Sequence, residues 1–164
     1  MGEAYLTSPL STTSKTFLGS VSYSGSDSFS DRESTYLSLD THNIQSYFTT
    51  GFISMVVDLN FKGYVGWSSY PAGFSSRFFI SFGNTDSLFS VSGPYADSSN
   101  RHVNFDVDLK GELGAICQDS SNLLVLGVRN LSGSSITAYA FGGNGSVFGS
   151  LSCTVSGTIS FYKV

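Results

Sequence analysis

The sequence predicts an all-β fold: a two-sheet antiparallel β-sandwich, with a jelly roll as the first expectation and an immunoglobulin-like Greek key as the alternative. Three observations carry this. Apolar residues recur at every second position through most of the chain, and no stretch shows a sustained helical stripe with caps. Clusters of Gly, Pro, Asn and Ser interrupt the alternation at short intervals. The composition is 40% apolar and 15% aromatic but only 12% charged, which suits sheets with one dry face and one neutral, wet face.

In chain order, residues 1–14 read as an N-terminal arm or linker within a single domain spanning 1–164. Phe17 to Ser24 is the first strand candidate. The very polar stretch 24–34 that follows is expected to be a mobile loop or the end of an N-terminal arm. Tyr36 to Asp40 is the next strand, and Asp40-Thr41-His42-Asn43 reads as a turn. Ile53, Met55, Val57, Leu59 and Phe61 alternate against Ser54, Val56, Asp58, Asn60 and Lys62, a half-buried strand. Pro71-Ala72-Gly73 is a turn leading to a strand over Arg77 to Phe82. Ser92-Gly93-Pro94 marks another turn, with Tyr95 on a long loop. His102 to Lys110 alternates most cleanly: Val103, Phe105, Val107 and Leu109 face one way, and Asn104, Asp106, Asp108 and Lys110 the other.

Leu123 to Arg129 and Ile136 to Phe141 complete the middle strands, separated by a turn at Asn130 to Ser134. Asn144-Gly145 has the signature of a type I′ hairpin turn. It is expected to join Ile136–Phe141 to the last strand, Leu151 to Tyr162, in which Gly157 marks a bend or bulge. The run from Ser146 to Val164 has two placements. As an internal strand it spans the sandwich; as an edge strand it would invite pairing with another copy. Eight to ten short strands result, with no internal repeat to suggest a propeller or β-helix. Trp67 precedes both cysteines, unlike the immunoglobulin pattern.

Composition also bounds function. With 8 Lys and Arg against 12 Asp and Glu, the net charge of −4 lacks the basic footprint of a nucleic-acid binder. No apolar run approaches a membrane span, so no membrane insertion is expected. The length allows a core without staples, because scaling predicts that about 69% of the chain's surface is buried on folding. Cys117 and Cys153 lack the neighbours of a zinc site; one disulfide between them is open, and the plainer reading is two small buried apolar side chains. The start, Met1-Gly2-Glu3-Ala4, shows no signal-peptide pattern, and Met1-Gly2 reads as an expression remnant on an excised domain. No cofactor and no metal are expected.

The chain is poor in parts for catalysis. Its two histidines, His42 and His102, read as ordinary polar positions at strand ends, and no G-x-S-x-G elbow occurs. Asn104, Asp106 and Asp108 share one strand face at spacings of about 6.8 Å. Such carboxylates can contribute to a calcium site or flank a sugar as an inverting glycosidase pair does. The plainer reading is a solvated face balanced by Lys110. Asn130-Leu131-Ser132 and Asn144-Gly145-Ser146 match the glycosylation sequon, as chance allows in a chain with 33 Ser. The expectation is a protein that is not an enzyme.

The most informative stretch is aromatic: Tyr64, Trp67, Tyr70, Phe74, Phe78 and Phe79, with Arg77 among them. Exposed rings stack on sugar faces or anchor protein partners. Trp67, Tyr70 and Phe74 are the exposed candidates, joined by Tyr95, with Asp97 and Asn100 beside it as hydrogen-bonding groups for a polyol. Ser, Thr, Gly and Asn make up 71 of 164 residues. In this composition and its strand rhythm the chain resembles capsid protrusions of small RNA viruses and tip domains of phage tail fibres. That resemblance implies a virion-surface or extracellular domain attaching to a host through a glycan or cell-surface receptor, as a homo-oligomeric dimer or trimer. A cellular lectin-like module is the alternative, and a small jelly-roll glycosidase using Asp106 or Asp108 is the third reading.

Overall fold

The alternating pattern resolves into ten strands in a computed structural model that describes residues 14–47, 51–68, 72–83, 87–119, 122–125, 129–132 and 134–164. They are β1 (Thr16–Arg32), β2 (Thr35–Asn43), β3 (Gly51–Trp67), β4 (Phe74–Phe82), β5 (Phe89–Ala96), β6 (His102–Asp119), β7 (Asn122–Val125), β8 (Arg129–Ser132), β9 (Ser135–Gly143) and β10 (Gly149–Lys163). One sheet runs β1-β10-β3-β6-β7-β8 and the other β2-β9-β4-β5. Among the described residues the strands of both sheets pair antiparallel.

With the short β7–β8 hairpin set aside as an insertion, eight strands remain. In their chain order the sheets read 1-8-3-6 and 2-7-4-5. Successive strands then alternate between sheets at most steps, and the last strand lies beside the first. This is the strand order of a jelly roll. It excludes the immunoglobulin-like alternative, in which the sheets are assembled differently.

The core lies where the inward sets of the two sheets meet. Ile53, Met55, Val57, Leu59, Phe61 and Val65 of β3 face Phe74, Phe78 and Ile80 of β4, all at most 1% exposed. Phe61 stacks on Phe78 with centroids 5.1 Å apart, and Phe78 meets Phe105 at 4.7 Å, so three strands from both sheets share one aromatic seam. Tyr47, in a single 3₁₀ turn at Gln45–Tyr47, stacks on Phe161 at 4.8 Å. Tyr23 of β1 reaches across and donates from its hydroxyl to the Ile136 carbonyl of β9 at 2.9 Å, which satisfies a polar tip inside the core. Cys117 and Cys153 are both buried, and burial pushes the Cys153 thiol up to about 12.

Several local expectations change once pairing is known. Residues 24–34 are mostly strand: β1 continues to Arg32, zipped to β10 from Gly25↔Val155 to Phe29↔Leu151. The backbone ladder and the burial of Phe29 hold a stretch whose side chains read as loop. Outward Ser20, Ser22, Ser24, Ser26 and Ser28 sit opposite Ser160, Thr158, Ser156, Thr154 and Ser152, five rungs of hydroxyls. His42 lies within β2, opposite Ile136, and is not in a turn. Gly93 and Pro94 fall inside β5 at a register shift, and Tyr95 is therefore on a strand. Proline is tolerated there because β5 is a sheet edge.

Leu123 to Arg129 is not one strand but parts of β7 and β8, which pair as a hairpin, so the turn expected at Asn130 to Ser134 is largely strand β8. Asn144-Gly145 is not the centre of a hairpin turn either. The Val147 N–H donates to the Asn144 carbonyl at 3.1 Å, which puts Gly145 and Ser146 at the centre, and β9 and β10 belong to different sheets. Gly157 produces no register shift with either neighbour of β10, although its φ is +124°. Finally, β10 is internal, between β1 and β3. Contrary to the edge placement, this strand offers no open edge for pairing with another copy. The expected arm at 1–14 lies, apart from Ser14, outside the described residues.

Candidate functional site

The outward face of the four-stranded sheet differs from that of the six-stranded one. On the larger sheet, the outward residues from Asp58 to Lys62 of β3 and from Asp106 to Lys110 of β6 are hydrophilic, and their charges answer one another. Asn60 Nδ2 donates to Asp106 Oδ1 at 2.5 Å and to Asp108 Oδ1 at 3.0 Å, Lys62 lies 3.6 Å from Asp106, and Lys110 lies 3.8 Å from Asp58. The Asn60 amide, working against a small desolvation and aided by Lys62, holds the Asp106 carboxyl below its ordinary range. No group of three or more His, Cys, Asp or Glu side chains that could hold a metal occurs among the described residues.

The smaller sheet carries rings on its outer side. Phe79 of β4 stacks on Tyr139 of β9 at 5.2 Å, and Tyr36 of β2 tilts against Phe141 at 4.6 Å. The Arg77 guanidinium lies over this floor, 4.6 Å from the Phe79 centroid and 5.8 Å from that of Phe141. Two open grooves flank Tyr95, which is 61% exposed. The larger, about 480 Å³, is lined by Ser75, Arg77, Ser92, Tyr95, Phe141 and Asn144 over a floor of Gly73, Ser76 and Gly93. The smaller, about 380 Å³, is lined by Pro94, Tyr95, Asp97, Ser99, Asn100 and Val103.

Local structure explains why Tyr95 stands as the wall between them. A Cβ on Gly73 would come within 2.8 Å of Tyr95 Cδ2, so the ring rests against a bare backbone. One on Gly93 would meet Ser76 Oγ at 2.4 Å and Phe78 Cε2 at 2.5 Å. The Ser76 hydroxyl donates to the Pro94 carbonyl and ties the shifted register of β5 to β4. Asn144 Nδ2 donates to the Gly73 carbonyl at 3.0 Å, which also occupies one of the two sequon asparagines. Asp97 Oδ1 accepts the Ser99 and Asn100 N–H groups, each at 2.9 Å, and shapes the turn after β5.

Of the residues expected from sequence, Tyr95, Asp97 and Asn100 come together at the smaller groove. Trp67 lines neither groove. It is half-buried at the end of β3, its Nε1 donates to the Ala72 carbonyl at 2.8 Å, and Arg101 lies 5.4 Å from its ring. Phe74 is fully buried, contrary to its expected exposure: its ring fills the space left by Gly142 and Gly149 and meets Phe29 edge-on at 6.0 Å. Tyr70 lies outside the described residues. Sequence reading passed over Phe141, Ser92 and Asn144 and noted Arg77 only in passing. A signal was present, since Phe78 and Phe79 are adjacent on one strand and so place a ring on each face of the sheet.

No protein-family model matches the chain, and no curated protein matches it. Similar solved structures include a chain of infectious bursal disease virus Gt strain, at 10% identity and TM-score 0.40, covering 87% of this chain and 32% of that one. The VP2 subviral particle of the same virus gives 12% identity and TM-score 0.39 over 87% of this chain and 32% of that one. The acid-stable capsid of Helicobacter pylori bacteriophage KHP30 gives 13% identity and TM-score 0.29 over 92% and 94%. The chain thus spans about a third of the length of the bursal disease virus chains it matches. Superpositions this loose carry no weight beyond themselves. The class of the protein, a jelly-roll β-sandwich, rests on its own strand order.

Proposed function

We propose that the chain is a virion-surface domain, of the capsid or fibre type, that attaches to a host by binding a cell-surface glycan or receptor, one of several copies on the particle. The observation that carries this reading is Tyr95: a large ring, 61% exposed, held against Gly73 and flanked on both sides by grooves with hydroxyl and amide groups. A ring fixed by its backbone contact offers contact area at little entropic cost, and neighbouring hydroxyls supply directional bonds to a polyol. The hydroxyl-covered, weakly charged outer face of β1 and β10 adds to this, because it hydrates a sheet without attracting counter-charged partners.

The test is Tyr95→Ala in a glycan-array and cell-binding assay. Binding is expected to weaken at least tenfold, the loss typical of a central anchor, with the melting temperature unchanged within about 2 °C. Unchanged binding would refute the site.

The glycosidase reading is disfavoured by the acid pair itself. An inverting glycosidase keeps one carboxyl protonated in an enclosed pocket, whereas Asp106 and Asp108 are both exposed on an open strand face and share the Asn60 amide. Prolonged incubation of the protein with oligosaccharides is therefore expected to release no reducing ends. Release that disappears in Asp108→Asn would restore the enzyme reading.

A further inference from the structure

The larger groove has a chemical asymmetry beyond what a general polyol site needs. The chain carries 12 acidic residues and a net charge of −4, yet Arg77 is the one charged side chain lining this groove. Among the described residues Arg77 makes no ion pair. Its Cζ lies 4.6 Å from the Phe79 centroid and 5.8 Å from that of Phe141, and with no carboxylate partner there its N–H groups are open to a ligand. A stacked guanidinium binds a carboxylate in its own plane through two parallel hydrogen bonds.

The strand register supplies the spacing. Ser75 is the partner of Tyr95 and Arg77 the partner of Ser92, so the backbone positions that carry the ring and the cation stand on neighbouring strands one outward step apart, about 7 Å along β4, and both side chains line the one groove. That is the scale of a single pyranose whose apolar face lies on Tyr95 while a carboxylate reaches Arg77. Ser75, Ser92 and Asn144 lie within the same groove to meet hydroxyl or acetamido groups.

We infer that the larger groove is a site for an acidic sugar, a carboxylate-bearing pyranose clamped by Arg77 and stacked on Tyr95. The inference rests on the attachment reading above and narrows it to one ligand class. Sialic acids and hexuronates share this chemistry, and the test separates them.

The experiment titrates the intact protein with sialyllactose, a hyaluronan tetrasaccharide, the carboxyl methyl esters of both, and lactose, by isothermal calorimetry or NMR shift mapping. At least one acid is expected to bind, its ester to bind about 10- to 100-fold more weakly, and Arg77→Gln to show the same loss. Which acid binds identifies the source. The esters probe the charge on the wild-type chain, so the result does not depend on the variant folding. If lactose or the esters bind as well as the acids, the acidic-sugar inference is overturned while the attachment reading stands. Tighter binding of a glutamate-rich peptide than of either sugar would also overturn it and point to a protein receptor. If neither the sugars nor the peptide binds at millimolar concentration, the acidic-sugar inference fails, and the attachment reading is decided separately by the glycan-array and cell-binding assay of Tyr95→Ala.

Discussion

Replacing Gly157 by alanine is expected to cost the domain about 2–6 kcal/mol of stability, although the change adds a single methyl group to a strand. Gly157 sits in the middle of β10, opposite Leu59 on one side and Tyr23 on the other, with φ +124°. A Cβ there would stand 2.2 Å from the Asp58 carbonyl oxygen and 3.0 Å from Leu59 Cα. Both atoms are backbone of β3, an internal strand paired along its length, so neither can swing aside as a side-chain tip would. Backbone strain of about 1–3 kcal/mol adds to an overpacking cost of about 1–3 kcal/mol or more. Together these are a large part of the roughly 5–15 kcal/mol that holds a domain folded.

A calibrating comparison is Gly145→Ala. Gly145 also has positive φ, +58°, but nothing lies within 4 Å of its Cβ position. Its cost is expected to be about 1 kcal/mol. Thermal melts of the two variants check the argument: equal melting temperatures would show that the close approach to β3 does not matter.

Phe74→Ala is the second large effect, expected to destabilise by about 3–5 kcal/mol and to lower the melting temperature by roughly 6–20 °C. Phe74 is fully buried, and Gly142 and Gly149 both give up side chains to seat its ring: their Cβ positions would fall 2.9 Å and 2.3 Å from it. Truncation therefore leaves a cavity bounded by backbone, which cannot relax inward cheaply. The contrast with Tyr95→Ala is the informative part. Phe74 and Tyr95 are both aromatic residues close to proline in a Ser- and Gly-rich setting, and sequence alone placed both at the binding surface. Denaturation should separate them, with a large loss for Phe74→Ala and almost none for Tyr95→Ala. A mild effect at Phe74 would mean that its ring is not part of the core.

The two cases show what kind of information the chain carries locally. Alternation over His102–Lys110 and Ile53–Phe61 states which side chains of a strand are dry, because the pleat has a period of two and one face must be buried. From that, the all-β class, the sandwich and most of the core of β3, β6 and β10 were legible. Where a strand's outward face is all hydroxyl, as in β1 beyond Ser24, or where Gly and Pro sit inside a strand, as in β5, local pattern mimics a loop. Pairing with a neighbour supplies the order that the side chains do not announce.

For the site the division is similar. Tyr95, Asp97 and Asn100 are close in sequence, and their grouping at one groove could be read directly. Arg77, Ser92 and Phe141 reach the other groove from three strands, and only the β5-β4-β9 order brings them together. By itself, the sequence determined the secondary structure class, the dry and wet faces of the clearest strands, and a surface rich in hydroxyls and poor in charge. Tertiary structure alone decided the jelly-roll strand order, the internal place of β10, the burial of Phe74 and the meeting of Arg77 with Tyr95. The physical reason is that alternation reports a strand's relation to water, which is local. A strand's choice of neighbours depends on backbone pairing and ring packing between segments far apart in the chain, and no single segment contains that information.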